Sequence, residues 1–238
     1  EKGCTSRDVV NAVSKILNTK KVGHFGTLDP LAEGLLILGI GSYTKIGNYL
    51  KDDTKEYIAE VLIGTSTDTY DITGNILKKD ENYNLNKKTL EETLSSFKGK
   101  YLQEVPIYSA VKVGGRKLYD YARKGEKVSL PKKEVEIFDI KLLNTYKKEE
   151  KNYFKFKVSV SKGTYIRSLI NDLSKKINIP LCMSNLTRTK QDKFLLKDAY
   201  NISDIENGNY KLINIREIIE LEEKEIDKIN EKKVLNGS

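Results

Sequence analysis

The sequence is poor in the residues that build metal sites and covalent cross-links. Its 238 residues include one histidine, two cysteines and no tryptophan. Two isolated cysteines, Cys4 and Cys182, are too few for a disulfide framework or a zinc site. A single histidine without a local cluster of Asp, Glu and His argues against a transition-metal centre. We therefore expect a protein that uses neither a metal ion nor a disulfide scaffold.

Long apolar runs are also absent. No stretch reaches the roughly 18 apolar residues that a membrane-spanning helix needs, and no signal-peptide pattern opens the chain. We therefore expect a cytoplasmic protein. Apolar residues make up 38% of the chain, which is enough to fill a core. The length fits one substantial domain with a small appendage.

Positive charge is what the sequence has in excess. Lys and Arg number 42 against 34 Asp and Glu, which gives a formal net charge of +8. Such an excess favours a polyanionic partner, most often nucleic acid. Charge alone leaves open a basic protein without such a partner.

Hydrophobic periodicity predicts a mixture of helices and strands. Helices are predicted at residues 6–17, 43–50, 87–97, 116–124, 164–177 and 220–233. Strands are predicted at residues 35–40, 55–63, 101–114, 132–143, 153–161 and 181–190, while 18–34 reads as a loop and 65–74 as a polar turn region. Because strands and helices do not alternate strictly, we expect an α+β fold with a mixed, largely antiparallel sheet flanked by helices.

The stretch from residue 20 to residue 45 holds the only histidine, His24, and an acid, Asp29, directly before Pro30. The residue before a proline is pushed away from the α region. Asp29 should therefore lie at a fixed, extended corner that presents its carboxylate. The alternative is a helix N-cap, because Asp caps well and Pro is favoured at the first helical position.

Two further positions could carry chemistry. Tyr57 opens an alternating strand, where an aromatic side chain ordinarily fills the core as a cross-strand neighbour. Arg167 falls in the first turn of a predicted helix, where a cation is mildly unfavourable against the helix dipole. That small conflict weakens a purely structural role for Arg167.

Several separated motifs resemble those of the TruB family of pseudouridine synthases, in the order in which that family has them. The stretch 23–34 reads GHFGTLDPLAEG against the family's GHTGTLDPLATG, 43–45 reads YTK against ATK, and 161–167 reads SKGTYIR at every family position. The segments 55–57, 105–112, 115–125 and 186–189 resemble KxY, PPxYSAxK, GxxLYExAR-G and LRRT. The resemblance covers about residues 3 to 194. Phe25 stands in place of the usual Thr, and Thr187 in place of the first Arg of LRRT.

The resemblance implies a pseudouridine synthase fold and the conversion of uridine 55 in the tRNA T-loop to pseudouridine, by base flipping and an Asp-dependent exchange of the glycosidic bond. It implies that Asp29 is the catalytic aspartate. Arg167 would pair with Asp29, and Tyr57 would stack on the target base and accept its proton. No cofactor is implied, and the partner would be the T-arm of tRNA bound by a monomer.

The resemblance also implies residues that contact the RNA. His24 would take the place of the flipped uridine in the stack, Tyr165 would contact the target nucleotide and Leu186 would pack near its base. Lys45 would contact a phosphate or the polar network of the site, although it could equally be a solvated helix lysine.

The implied domain organisation is a catalytic domain at 1–198, with a basic RNA-contacting thumb at about 105–130, followed at 199–238 by the truncated start of a small C-terminal RNA-binding domain. Two alternatives to a stand-alone enzyme remain open. One is a guide-RNA-dependent pseudouridine synthase. The other is a tRNA-folding chaperone whose catalysis is incidental.

Overall fold

The computed structural model describes residues 2–49 and 54–218. Its helices are α1 (Ser6–Ile16), α2 (Lys87–Ser95), α3 (Leu118–Arg123), α4 (Ile166–Ile177), α5 (Ile202–Glu206) and α6 (Ile215–Ile218), with 3₁₀ helices at Gly41–Tyr49 and Leu196–Asp198. Its strands are β1 (Val22–Phe25), β2 (Ala32–Gly34), β3 (Ile37–Ile40), β4 (Lys55–Ile63), β5 (Thr65–Thr67), β6 (Ile76–Lys79), β7 (Gly99–Glu104), β8 (Lys112–Val113), β9 (Arg116–Lys117), β10 (Lys132–Lys148), β11 (Lys151–Val160), β12 (Leu181–Gln191) and β13 (Phe194–Leu195).

A seven-stranded sheet forms the centre of the molecule. Six strands lie in the order β13-β12-β4-β11-β10-β7 and pair antiparallel, while β2 pairs parallel with β12. The predicted α+β class with a largely antiparallel sheet is therefore confirmed. The predicted strand at 55–63 has the same bounds as β4.

One face of the central sheet is buried because β4 and β11 alternate apolar and polar residues. Ala59 and Val61 of β4 and Phe154, Phe156 and Val158 of β11 are fully buried on this face. Helices α2 and α4 supply the other half of the same core cluster. On the opposite face, cross-strand ion pairs join β11 to β4.

Helix α4 begins five residues after β11 ends, so the turn at 161–165 places its first residues at the edge of the sheet. Its apolar stripe, which includes Leu169, Ile170 and Leu173, is buried against the core. The helix ends at Ile177, and its C-cap residue, Asn178, adopts a left-handed conformation with φ 54°. This arrangement fixes the position of Arg167, the second residue of the helix.

Several predicted boundaries are wrong because the pairing partners lie far away in sequence. The predicted loop at 18–34 contains β1, which pairs with β3, and β2, which pairs with β12. The strand predicted at 35–40 is only Ile37–Ile40, and the helix predicted at 43–50 is the 3₁₀ helix Gly41–Tyr49. The turn region at 65–74 contains β5, and the helix predicted at 116–124 is a short strand followed by Leu118–Arg123. The strand predicted at 101–114 is wrong after residue 104, where β7 ends and irregular structure leads to β8, while the strand predicted at 132–143 continues to Lys148.

The described end of the chain packs back on its beginning. Ile205 of α5 contacts a small cluster formed by Val10, Val13 and Val22. The helix predicted at 220–233 lies outside the described residues. Within 2–49 and 54–218, none of the helices is long and apolar enough to cross a membrane.

Candidate active site

Asp29 lies in the connection between β1 and β2, and hydrogen bonds on both sides fix its backbone. Ala32 N donates to Asp29 O at 2.8 Å, Gly3 N donates to Pro30 O at 3.0 Å, and Leu28 N donates to the buried Ser6 Oγ at 3.0 Å. The Asp29 side chain remains 40% exposed. No helix follows Pro30, since the chain enters strand β2, so the N-cap alternative for Asp29 is wrong.

Arg167 aims the Asp29 carboxylate. Its side chain is only 7% exposed, and its Nε donates to Asp29 Oδ2 at 2.8 Å. The other guanidinium nitrogens donate to backbone carbonyls: Nη2 to Tyr108 O at 3.1 Å and Nη1 to Thr69 O at 3.4 Å. The fork of the guanidinium is therefore fixed in its plane, and one edge of it holds the carboxylate in a defined direction. The ion pair that the resemblance implied is present.

A second carboxylate, Asp71, was missed by the sequence interpretation. Its Oδ2 lies 4.0 Å from Arg167 Nη1, and the residue is buried. Asp71 Oδ1 accepts hydrogen bonds from Thr69 Oγ1 at 2.9 Å and from both N and Oγ1 of Thr73, at 2.9 and 2.5 Å. The signal in the sequence was a carboxylate between two threonines at i−2 and i+2, within a segment interpreted only as a turn.

Tyr57, Tyr165 and Leu186 come from three different parts of the fold. Tyr57 of β4 is 7% exposed and belongs to the main core cluster. Tyr165 immediately precedes α4, and burial raises the pKa of its phenol, which keeps the hydroxyl protonated at neutral pH. Leu186 of β12 is buried opposite Ala59 and Ala32. The base-stacking role of Tyr57 stays a prediction, because the structure contains no RNA.

His24 lies on β1 opposite Leu38. Its ring is partly buried, and within the described part of the chain its Nδ1 has no hydrogen-bond partner. Burial lowers the pKa of the imidazole below 6.5, and the nearby positive charges of Arg7 and Arg188 lower it further. At neutral pH His24 is therefore an uncharged planar ring on the strand that leads to Asp29.

Phe25 is accommodated by two glycines. A Cβ added at Gly47 would lie 2.7 Å from Phe25 Cδ1, and one added at Gly39 would lie 2.7 Å from Phe25 Cζ. The larger side chain at this position therefore occupies space that any other residue at 39 or 47 would fill. Thr187 also has a local partner, since its Oγ1 donates to Glu33 Oε1 at 3.2 Å.

Lys45 is the one predicted site residue that the structure does not tie to the others. It is exposed on the 3₁₀ helix and, within residues 2–49 and 54–218, forms no ion pair with Asp29 or another carboxylate. This position fits both the RNA contact and the solvated lysine, so its role stays a prediction.

The predicted thumb segment contains three basic side chains that lie over tyrosine rings of the same segment. The Arg116 guanidinium lies 4.0 Å from the centre of the Tyr121 ring, and Lys117 and Arg123 each lie 5.2 Å from the centre of the Tyr119 ring. The thumb segment contacts the site directly, because it contains Tyr108, whose backbone carbonyl accepts from Arg167 Nη2. Such alternation of basic and aromatic side chains suits contact with a single-stranded or looped nucleic acid.

A cavity of about 370 Å³ lies away from Asp29, beside Ile63 and Tyr153, and none of the predicted site residues lines it. No group of three or more His, Cys, Asp or Glu side chains in the described ranges could hold a metal ion. The Asp29 side chain, which is 40% exposed, is accessible from the surface.

The protein-family model of the N-terminal domain of the TruB family pseudouridylate synthases matches residues 14–166. The chain is 40% identical over 235 residues to tRNA pseudouridine synthase B of Caldanaerobacter subterraneus subsp. tengcongensis, covering 99% of this chain and 81% of that protein. It is 46% identical over 208 residues to tRNA pseudouridine synthase B of Staphylococcus aureus, covering 86% of this chain and 68% of that protein.

Solved structures show the same fold. The chain matches one chain of a Cbf5–Nop10–Gar1 complex with a TM-score of 0.66 at 26% identity, and one of an H/ACA RNP bound to a substrate RNA containing 2′-deoxyuridine with a TM-score of 0.63 at 24% identity. Each match covers 87% of this chain. The chain spans about half the length of those two chains, at 51% and 50%.

Proposed function

The chain belongs to the TruB family of pseudouridylate synthases, and from that membership we propose that it converts uridine 55 in the T-loop of tRNA to pseudouridine. The observation that carries the proposal is the partly exposed Asp29 carboxylate, held by the buried Arg167 at 2.8 Å. The proteins that share 40% and 46% of its residues are named as tRNA enzymes, whereas the similarity to ribonucleoprotein components is 24% to 26%.

The target base must leave the stack before it can react, at a cost of a few kcal/mol. The positively charged surface binds the T-arm by its shape and its phosphates. His24 then fills the gap that the flipped uridine leaves. Its depressed pKa keeps the ring uncharged, which favours stacking between neutral bases.

The reaction exchanges two bonds within one nucleotide. Asp29 promotes cleavage of the bond between C1′ and N1, the uracil turns in the site, and a new bond joins C1′ to C5. The proton at C5 is lost, and N1 gains one, so the product is an isomer of the substrate and no external oxidant or reductant is required. Arg167 orients Asp29, while Tyr57 stacks on the base and takes the C5 proton. Tyr165 and Leu186 line the space in which the base turns. Lys45 contacts the RNA.

The test is tritium release from tRNA labelled at C5 of uridine, measured for the wild type, Asp29→Ala and the control Asp139→Asn. Asp139 is an exposed carboxylate on β10, paired with Lys98 and outside the site. We expect the wild type and the control to release tritium, and Asp29→Ala to be slower by about a thousandfold or more, as for removal of a principal catalytic group. Release from a tRNA with cytidine at position 55 should be absent. Equal release by wild type and Asp29→Ala would remove Asp29 from the mechanism.

The same assay separates the stand-alone enzyme from its alternatives. We propose that the purified chain acts as a cytoplasmic monomer on the T-arm alone, without a guide RNA. Activity that appears only when a guide RNA and partner proteins are added would contradict this. A tRNA-folding chaperone would keep its folding effect in Asp29→Ala, whereas the enzyme loses its product.

A further inference from the structure

We propose that Arg188 is a positioning residue that fixes the Asp29 loop, defined as residues 26–35, at both of its ends. The inference rests on the proposed catalytic role of Asp29. Arg188 lies on β12, outside the loop and far from it in sequence, and its side chain is completely buried.

Hydrogen bonds from one guanidinium reach both ends of the Asp29 loop. Arg188 Nη2 donates to Gly26 O at 3.1 Å, before Asp29, and Nε donates to Leu35 O at 2.7 Å, after it. Nη1 points at Thr27 O, 3.5 Å away. Leu35 N in turn donates to the backbone carbonyl of Arg188 at 2.9 Å, so this end of the loop is bonded in both directions.

The backbone of the Asp29 loop is shaped to lie against Arg188. Gly26 and Gly34 have φ angles of +94° and +107°, which side chains other than glycine rarely adopt. A Cβ at Gly34 would lie 2.4 Å from Arg188 O, and one at Gly26 would lie 3.4 Å from Arg188 Nη1. Glycine at both positions therefore allows the close approach that the hydrogen bonds require.

The electrostatic surroundings of Arg188 distinguish it from an ordinary core cation. A buried arginine normally has a carboxylate partner, as Arg167 has in Asp29. Within the described ranges Arg188 has none, and all of its acceptors are carbonyls of the Asp29 loop. Its charge is thus used to align the peptide groups of this loop.

Gln191, three residues further along β12, extends the same support to the strand that carries His24. Its Nε2 donates to Phe25 O at 2.8 Å, and its amide lies against Gly26. Strand β12 therefore holds three consecutive carbonyls, those of Phe25, Gly26 and Thr27, immediately before the corner that presents Asp29.

The test compares Arg188→Met and Arg188→Lys with the control Thr189→Val. Lysine keeps the charge but has a single nitrogen, so it cannot reach both ends of the loop. Thr189 is adjacent on β12 and bonds to Glu56 rather than to the loop. We expect both Arg188 variants to lower the single-turnover rate of pseudouridine formation by about a hundredfold, the effect of a displacement near 1 Å, with the tRNA Kd unchanged. Thr189→Val should keep the wild-type rate.

The rates are measured well below each variant's unfolding temperature and per folded molecule, because a purely structural role would lower the Tm without changing that rate. A folded Arg188→Lys or Arg188→Met with the wild-type rate would overturn the proposal. A milder variant, Gln191→Leu, removes a single hydrogen bond to Phe25 O and should reduce the rate by less than the Arg188 variants do. It provides the test if the Arg188 variants do not fold.

Hydrogen exchange provides a readout that does not depend on catalysis. In Arg188→Met the amides of the Asp29 loop, among them those of Ala32 and Leu35, should exchange faster, while those of β4 and β11 keep the wild-type rates. Thr189→Val should leave the loop unchanged. If the wild type itself makes no pseudouridine, the proposed function fails, but faster exchange confined to the loop still supports the positioning role, and unchanged exchange overturns it.

Discussion

Arg167 is shared between two carboxylates that differ in exposure. Asp29 is 40% exposed and takes Nε, while Asp71 is 8% exposed at the side chain and lies 4.0 Å from Nη1. The second carboxylate cannot act on RNA directly, because it is buried and its Oδ1 already accepts hydrogen bonds from Thr69 and Thr73. We infer that Asp71 keeps the guanidinium in place while Asp29 changes its bonding in the proposed reaction.

We therefore predict that Asp71→Asn lowers kcat by about 10- to 100-fold, in the range expected when a positioning group is lost, with little change in the tRNA Kd. The amide can still accept from Thr73, but it no longer attracts the guanidinium. Single-turnover kinetics measure the catalytic rate, and filter binding measures the tRNA Kd. The control is Asp68→Asn, because Asp68 lies in the same turn and bonds to Asn75 instead. Equal effects of the two variants would show that the turn, and not the charge, matters.

A pH dependence is expected at His24. Its pKa is lowered in the folded state by burial, and by Arg7 and Arg188, so the unfolded chain binds a proton near pH 6.5 that the folded chain does not. The stability that the neutral ring contributes is thus complete above pH 6.5 and is lost as the pH falls through this value towards the folded pKa. Urea unfolding between pH 7.5 and 5.5 should show a larger loss for the wild type than for His24→Gln. Parallel curves would contradict the lowered pKa.

Residues that lie within a recognisable local pattern could be predicted, and residues whose partners lie in distant segments could not. Asp29 is marked by the proline that follows it, and Arg167 by its place at the start of an amphipathic helix. Asp71 contacts the Arg167 guanidinium, about 100 positions away, and Arg188 donates to backbone carbonyls about 150 positions away. Nothing in the sequence around Asp71 or Arg188 identifies these distant partners.

At the scale of elements, β7 holds the start of α4 through one side chain. Gln103 is buried at 1% exposure; its Oε1 accepts from Tyr165 N at 2.8 Å, and its Nε2 donates to Tyr165 O at 3.1 Å. Ser168 Oγ adds a bond to Glu104 O at 2.8 Å. The residue that opens α4 thus has both backbone groups paired with one amide, although α4 has no side-chain N-cap of its own.

We predict that Gln103→Leu destabilises the protein by roughly 1–3 kcal/mol, because it leaves the Tyr165 N–H without its acceptor. The Tyr165 carbonyl keeps its bond from Leu169 N, at 3.0 Å. Urea denaturation measures the loss. The control is Lys100→Leu, an exposed position on the same strand, which should lose less. The catalytic rate should also fall in the Gln103 variant, because Arg167 lies two residues after Tyr165. Equal stability of the two variants would contradict this assignment.

The elements themselves were predictable where local alternation decides them. The strand at 55–63 was predicted with its observed bounds, because every second residue from Tyr57 to Ile63 is apolar. β1 and β2 were missed, since each is three or four residues long and owes its pairing to β3 and β12. A short helix was predicted at 43–50, but its 3₁₀ geometry at Gly41–Tyr49 was not, because four- and three-residue spacings cannot be separated over so short a segment.

At the scale of the whole molecule, the net charge of +8 favours electrostatic attraction between the enzyme and the phosphates of tRNA. Binding to tRNA should weaken steeply as salt rises, because each neutralised phosphate releases a counterion and adds roughly 0.7 to 0.9 to the slope of log K against log salt. Filter binding across salt concentrations measures this slope. Affinity that does not change from low to high salt would contradict a phosphate-binding surface.

The slope of log K against log salt, measured for single variants, also shows which part of the protein surface contacts the phosphates. Arg123 lies on α3 in the predicted thumb, over the Tyr119 ring, so Arg123→Ala should lower the slope by about one phosphate contact. Lys88→Ala on α2 removes the same charge from a side chain that is 85% exposed and lies on the helix beside the cavity away from Asp29. It should leave the slope unchanged, because a charge that contacts no phosphate releases no counterion. Equal reductions in both variants would mean that overall charge, rather than the thumb, binds the RNA.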